Sequence, residues 1–326
     1  MLPERYTVEG LKNALRNPGL FAEELKFLLH TRTQRRAFVD KHGSGLDVMA
    51  EDWDNLLLLD ACRYDTFEAV NDITGDLRSV VSRGSTSYEF MRKNFADREL
   101  HDTVYVTGNG NTERIADDVF FKIVKTYDRH ERRYRGWMPD HIREVAAEAH
   151  EAHPDKRLVV HFMQPHTPYI GPKADRIRGQ LRDEHGMEFE KMNVMHGSDA
   201  DDPDLSFSQL RNAAEDGYIT DDVLYDLYVE NLEIVLEEVE RLLEELDGRS
   251  VVSTDHGELL GDPDGWFVPK RYGHPGNVYT PELRVVPWLE VDGGERRETV
   301  SEPPVETTDV PEEAIEENLR ALGYVD

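Results

Sequence analysis

The chain contains a single cysteine, Cys62, so no disulfide can close within it and its stability has to come from a packed core. It lacks any run of 18 consecutive apolar residues, and no transmembrane helix is expected. Its first ten residues lack the apolar centre of a signal peptide, which makes the cytoplasm the expected compartment. Positive charge is also scarce. Against 67 Asp and Glu stand 38 Lys and Arg, a formal net charge of −29. Such a surface repels nucleic acid and anionic membranes over most of its area. The acid is dispersed rather than gathered in a tail, which reads as halophilic, the solvated surface of a protein from a salt-loving microbe. An ordinary acidic protein is the plainer alternative. Hydrophobic residues make up 38% of the 326, enough for one large α/β domain with terminal appendages.

Three regions are predicted. Residues 1–50 read as a helical N-terminal extension with apolar positions at Leu11, Leu15, Leu25 and Leu28. This stretch is locally basic: residues 1–41 hold eight Lys or Arg and five Asp or Glu. It reads either as a lid packed on the core or as an arm that touches a membrane surface or a protein partner. Residues 51–292 read as the catalytic domain, and 293–326 as an acidic tail with a closing helix over Pro311 to Leu322. Within the middle region, continuous apolar runs predict strands at Asn55 to Leu59, Val104 to Thr107, Arg157 to Phe162 and Ser250 to Ser253. A shorter strand is predicted at Ser79 to Ser82. Leu232, Val235, Leu236, Val239, Leu242 and Leu246 recur at three- and four-residue spacing and predict a helix over 225–246, stopped by Gly248. Further helices are predicted at Arg63 to Val70, Tyr88 to Phe95 and Asp140 to His150. Residues 171–218 are polar and weakly periodic and read as a long excursion over the active-site face. A late strand pair is predicted over Leu283 to Val291, with Pro287 at an edge or a break. Strands alternating with helices imply an α/β fold, a mainly parallel sheet with helices on both faces.

Several residues carry chemistry at the ends of these strands, where open α/β sheets bind ligands. Asp60 follows four leucines, a position where a carboxylate is costly unless it meets a cation or caps the next helix. Ser85, Thr86 and Ser87 precede a helix. They form either an ordinary capping cluster or an anion site that holds a nucleophilic hydroxyl. Asp255 and His256 follow another strand, and Gly257 permits a sharp turn behind them. His166 sits between two prolines in a stiff loop. His274 is flanked by glycines after Lys270 and Arg271, which are cations able to hold a substrate anion. Asp oxygens with a His nitrogen suit a divalent metal: zinc or manganese first, magnesium or calcium also admitted.

The order of these segments along the chain resembles the alkaline phosphatase and sulfatase superfamily, from about Asn55 to Leu289, and the charge makes it similar to an acidic, haloarchaeal-type member. The closing Leu322-Gly323-Tyr324 is similar to the end of many sulfatase-type domains. The resemblance implies that Asp60, Ser87, Asp255 and His256 share a metal. Ser87 would be the nucleophile, with Thr86 and then Ser85 behind it. His166 and His274 would assist catalysis, and Arg63, Lys270 and Arg271 would bind substrate. Three departures stand out. Ala61 fills the place of a second aspartate that sulfatases carry. Cys62 lies beside the metal aspartate and not in the Cys-x-Pro-x-Arg context that yields formylglycine. Beyond His166 and His274, no further carboxylate-histidine set for a second zinc is visible, so one metal is expected. The expected function is a metal-dependent phosphoester hydrolase or phosphoryl(glycol) transferase with a covalent phospho-enzyme. Its substrate would be a small-molecule, glycan-linked or lipid-linked ester. A sulfatase-like enzyme without formylglycine and a non-catalytic scaffold with a basic arm are the alternatives.

Overall fold

Asn55–Asp60 forms a strand, β1, in which every residue is buried. Leu57 and Leu59 enter one hydrophobic cluster, and Leu56 and Leu58 enter another. Successive side chains of a strand point to opposite faces, so an unbroken apolar run is what a strand covered on both sides requires. The chain is represented by a computed structural model that describes residues 32–116, 118–128, 133–187, 209–263 and 270–305. The further strands are β2 (Asp76–Val81), β3 (Leu100–Thr107), β4 (Phe120–Lys125), β5 (Arg157–Pro165), β6 (Gly248–Thr254), β7 (Leu259–Pro263), β8 (Lys270–Gly273) and β9 (Val285–Gly293). Seven of them make one sheet in the order β2-β9-β6-β1-β5-β3-β4, and β7 pairs with β8 alone. Only β9 runs against its neighbours in the large sheet.

The helices are α1 (residues 32–42), α2 (Tyr64–Val70), α3 (Ser87–Asn94), α4 (Pro139–Ala152), α5 (Pro172–His185), α6 (Gln209–Glu215), α7 (Asp221–Glu245) and α8 (Pro281–Arg284). One face of the sheet is covered by α4 and α7. Ile142, Val145, Ala146 and Ala149 of α4 meet Leu232, Val235, Leu236, Val239 and Leu242 of α7 over Leu57, Val160 and Val252. The three- and four-residue spacing of both sets is the stripe that a helix lays on a core. The other face takes α3, through Phe90 and Met91, together with Trp53 and Phe95. This α/β arrangement, a mainly parallel sheet with helices on both faces, agrees with the expected fold class. Among the described residues no helix is long and apolar enough to cross a membrane.

Several local expectations need correction. The excursion over 171–218 contains two helices, α5 and α6. The apolar face of α5 is narrow, Ala174 and Leu181, which explains its weak periodicity. Both helices join the first half of α7 and Leu260 in a third cluster built on Tyr169, Leu210, Ala213, Leu224 and Tyr228. Pro287 does not mark an edge, because β9 lies between β2 and β6 and Ser253 Oγ donates to the Pro287 carbonyl at 2.7 Å. The stretch from Leu283 is a short helix followed by one strand. Strands β4, β7 and β8 had no counterpart in the sequence reading. After β9 the chain runs as an irregular strap whose Val300, Glu302 and Val305 amides donate to the carbonyls of Asp155, His101 and Phe121. The helices expected before residue 32 and after residue 305, and residues 188–208 of the excursion, lie outside the described residues.

Candidate active site

Four adjacent strands, β6, β1, β5 and β3, deliver polar residues to one end of the sheet. Asp60 ends β1, Asp255 and His256 follow β6, His166 follows β5, and Asn109 lies two residues beyond β3. Asp60, Asp255 and His256 are fully buried. Each offers one ligand atom within 4.8 Å of the others. His256 Nδ1 lies 2.8 Å from the Gly257 carbonyl, which can only accept, so Nδ1 carries a proton. The opposite nitrogen, Nε2, faces Asp255 Oδ2 at 3.5 Å and Asp60 Oδ1 at 3.6 Å. Asp255 Oδ1 accepts from the amides of Ala61 (3.2 Å) and His256 (2.8 Å), while Oδ2 is buried without a hydrogen bond. A carboxylate oxygen so placed in a protein interior fits a cation ligand. The donor set of two carboxylates and an imidazole, with a hydroxyl beside it, suits zinc or another divalent ion.

That hydroxyl is Ser87, at the start of α3, with Oγ 3.3 Å from His256 Nε2. Its neighbours face elsewhere. Thr86 caps α3, its Oγ1 accepting from the Glu89 amide at 3.1 Å. Ser85 Oγ donates to the Pro275 carbonyl at 3.0 Å. The backbone around Asp60 is strained: Ala61 has φ 60°, in the left-handed region, and sits where the resemblance places a second aspartate. Gly257 follows the Asp-His pair for a reason other than the expected sharp turn. A Cβ there would lie 2.0 Å from the Glu282 carbonyl oxygen, so close backbone approach demands the glycine.

A second group adjoins the first. His166, Glu258 and His274 also bring ligand atoms within 4.8 Å of one another, and the rings of His256 and His274 are 4.5 Å apart. His166 Nδ1 donates to the Thr167 carbonyl at 2.7 Å, and its Nε2 lies 2.9 Å from His274 Nε2. Glu258 Oε2 is buried without a hydrogen bond. Where one metal was expected, a second candidate ligand set therefore stands beside the first. The second carboxylate was present in the Asp255-His256-Gly257-Glu258 motif but had been given no role.

Burial governs the charges here. It lowers His166 to about 3, helped by the charges of Arg211 and His256, and drives His274 well below its ordinary value. Burial raises Glu258 to about 8, against the pull of Arg211 and with a push from Asp255. For Asp255, burial alone would raise the carboxyl. The neighbouring His256 and His161 rings outweigh it and hold the group below the usual carboxylate range.

Three supporting residues were not singled out from the sequence. Asn109 Nδ2 donates to Asp60 Oδ2 at 2.7 Å, although its sequence context signalled only a turn. His161 lies on β5 between the Tyr105 hydroxyl, 2.8 Å away, and Asp255 Oδ2, 3.6 Å away. Asn231 of α7 clamps the His166 loop, donating to the carbonyls of Pro165, His166 and Pro168 and accepting from the Ile170 amide at 2.8 Å. Arg63 and Lys270, both proposed for substrate, pair with protein carboxylates. Arg63 pairs with both oxygens of Asp262 and with Asp65. Lys270 pairs with Asp221. Arg271 stands opposite Asp262 in the β7–β8 ladder.

No family model matches the chain, and no curated protein matches it. Solved structures similar to it include phosphoethanolamine transferases and sulfatases. One is the zinc complex of the C-terminal periplasmic domain of EptC from Escherichia coli, with 14% identity, a TM-score of 0.46, and 76% of this chain and 75% of that one covered. Another is the integral membrane protein lipooligosaccharide phosphoethanolamine transferase A from Neisseria meningitidis, at 11% identity and a TM-score of 0.40. That match covers 74% of this chain but only 48% of the other, so this chain spans about half its length. A third is a putative sulfatase from Bacteroides thetaiotaomicron, at 11% identity and a TM-score of 0.40, with 76% of this chain and 66% of that one covered. The chemistry therefore rests on the residues themselves.

Proposed function

We propose that the chain is a metal-dependent phosphoester hydrolase or phosphoryl(glycol) transferase in which Ser87 is the nucleophile. The observation that carries this reading is the placement of Ser87 Oγ at 3.3 Å from His256 Nε2, inside a buried set whose Asp255 Oδ2 has no hydrogen-bond partner. Asp60, Ser87, Asp255 and His256 would hold the cation, which when bound supplies a lowered hydroxyl pKa and neutralises charge on the transferring group. Ser87 Oγ forms the new O–P bond in line with the leaving oxygen, which departs with the bonding pair. His166, buried, and His274, half-buried, contact the non-bridging oxygens, or a second cation where one occupies their set with Glu258. The phosphoryl group then passes from Ser87 to water or to another alcohol. Ser85 and Thr86, whose oxygens serve the loop and the helix cap, are the weaker candidates for attack.

The test is elemental analysis of wild type and Asp255→Ala, run beside turnover of phosphate monoesters, phosphate diesters and sulfate esters in high salt. The expected result is stoichiometric metal in wild type. The variant should lose it together with about a hundredfold or more of phosphoester turnover. Preference for sulfate esters would move the reading to a sulfatase-like enzyme using unmodified serine. A metal-free, inactive wild type would favour a binding scaffold.

A further inference from the structure

A cation beside the His166–Glu258–His274 set comes from the polar excursion, where no residue had been singled out. Leu210, Ala213 and Ala214 are buried in the third cluster and pin α6 against α7 and the Tyr169 end of the His166 loop. Arg211 lies between them in sequence and is half-buried. Its Nη1 and Cζ are 3.3 Å and 3.7 Å from the point a Cβ would occupy at Gly273, and Glu258 Oε1 is 3.8 Å from the same point. Gly273 has φ +78° and directly precedes His274, so a side chain there would be strained and would also push the guanidinium away. The positive charge of Arg211 acts on His166, Glu258 and His274 together. Among the described residues no carboxylate lies within ion-pair distance of it, in contrast to Arg63 and Lys270. A planar guanidinium with unused donors beside imidazoles and a cation site matches the oxygens of a tetrahedral anion, which it can hold two at a time.

We infer that Arg211 is the substrate-binding residue that grips the non-bridging oxygens of the phosphate or sulfate ester, taking the role the sequence had given to Arg63, Lys270 and Arg271. The inference rests on the proposed reading of Ser87 and the Asp60–Asp255–His256 set. It also gives α6 a function, because that helix carries the anion contact.

The experiment is titration of metal-loaded protein with inorganic phosphate, and separately with sulfate, by isothermal calorimetry. The proteins are wild type, Arg211→Gln, Arg211→Lys and Lys270→Gln, each checked for metal content and melting temperature. Arg211→Gln should weaken phosphate binding about ten- to a hundredfold, the loss of a charged hydrogen-bonding partner. Arg211→Lys should fall between it and wild type, and Lys270→Gln should match wild type. Melting temperature and metal content should stay unchanged, which a merely structural arginine would not allow. Tighter sulfate than phosphate binding with the same dependence on Arg211 would assign the site to sulfate esters. Arg211→Gln that carries metal and binds phosphate as wild type does overturns this inference and leaves the metallo-phosphoesterase reading standing. A wild type that takes up no metal overturns both.

Discussion

Ser85, Thr86 and Ser87 are adjacent in the chain, yet their oxygens face the Pro275 carbonyl, the Glu89 amide and His256 respectively. Substituting them separates stability from chemistry. Thr86→Ala removes a helix cap and should cost about 1 kcal/mol in denaturant unfolding while leaving turnover near wild type. Ser87→Ala should leave unfolding nearly unchanged and abolish turnover. Glu258 supplies a pH signature. In the chelated protein its carboxyl is raised to about 8, above the ordinary 4.5. The folded state then keeps a proton that the unfolded chain has already lost, so stability present below pH 4.5 is lost progressively as pH rises toward 8. Melting temperatures of metal-free protein at pH 5 and pH 8 should therefore differ more in wild type than in Glu258→Gln. At this scale the sequence revealed the candidate ligand residues wherever they directly follow an apolar strand, as Asp60, Asp255 and His256 do. Asn109, His161 and Arg211 were hidden because their importance comes from what lies opposite them in space. A turn asparagine, a strand histidine and a helix arginine have no local pattern that announces such partners.

At the scale of elements, the helix-to-loop clamp is the part most open to test. Asn231 Nδ2 reaches three carbonyls of the Pro165 to Pro168 loop and Oδ1 takes the Ile170 amide, so one α7 side chain fixes the path that presents His166. Asn231→Ala leaves several buried backbone groups without partners and should lower unfolding stability by about 2 kcal/mol or more. Elemental analysis should still find the metal of the Asp60 set, because Asn231 does not touch it. The elements read most clearly from sequence were those whose pattern follows from burial alone: β1, β5 and β6 as unbroken apolar runs, and α7 as a long stripe. The excursion helix α5 was obscured because only Ala174, Arg178 and Leu181 are buried along it. Strand β9 was misplaced because proline normally avoids interior strands, whereas here the Pro287 carbonyl receives the Ser253 hydroxyl.

At the scale of the whole molecule, charge dominates. A formal charge of −29 makes the compact state repel itself more than the expanded chain does. Screening falls within a few ångströms at molar salt, so raising sodium chloride from about 0.1 M to about 2 M should increase the melting temperature, with the steepest gain at the low end. The strap after β9 adds long-range ties of a different kind. Lys156, almost fully buried, donates to the Val300 carbonyl at 2.9 Å and to Glu302 at 2.6 Å. These contacts, together with the Val305 amide on Phe121, tie the strap across one end of the sheet and onto β4, the sheet's last strand.

The interleaved strand order has a consequence for how the protein is made. Asp60 leaves the ribosome early, but the Ala61 amide waits for a carboxylate 194 positions further along. Until β6 has been synthesised and has inserted between β1 and β9, Asp60 ends a strand of leucines with no Asp255 or His256 beside it. Pairings this distant in sequence form slowly, and an incomplete chain exposes apolar strand edges in the meantime. On the proposed reading, a cation at the Asp60 set would be acquired only after translation has passed His256, by a chain already close to its final shape. Nascent chains halted before that point should bind no metal at the Asp60 set, however long they are held.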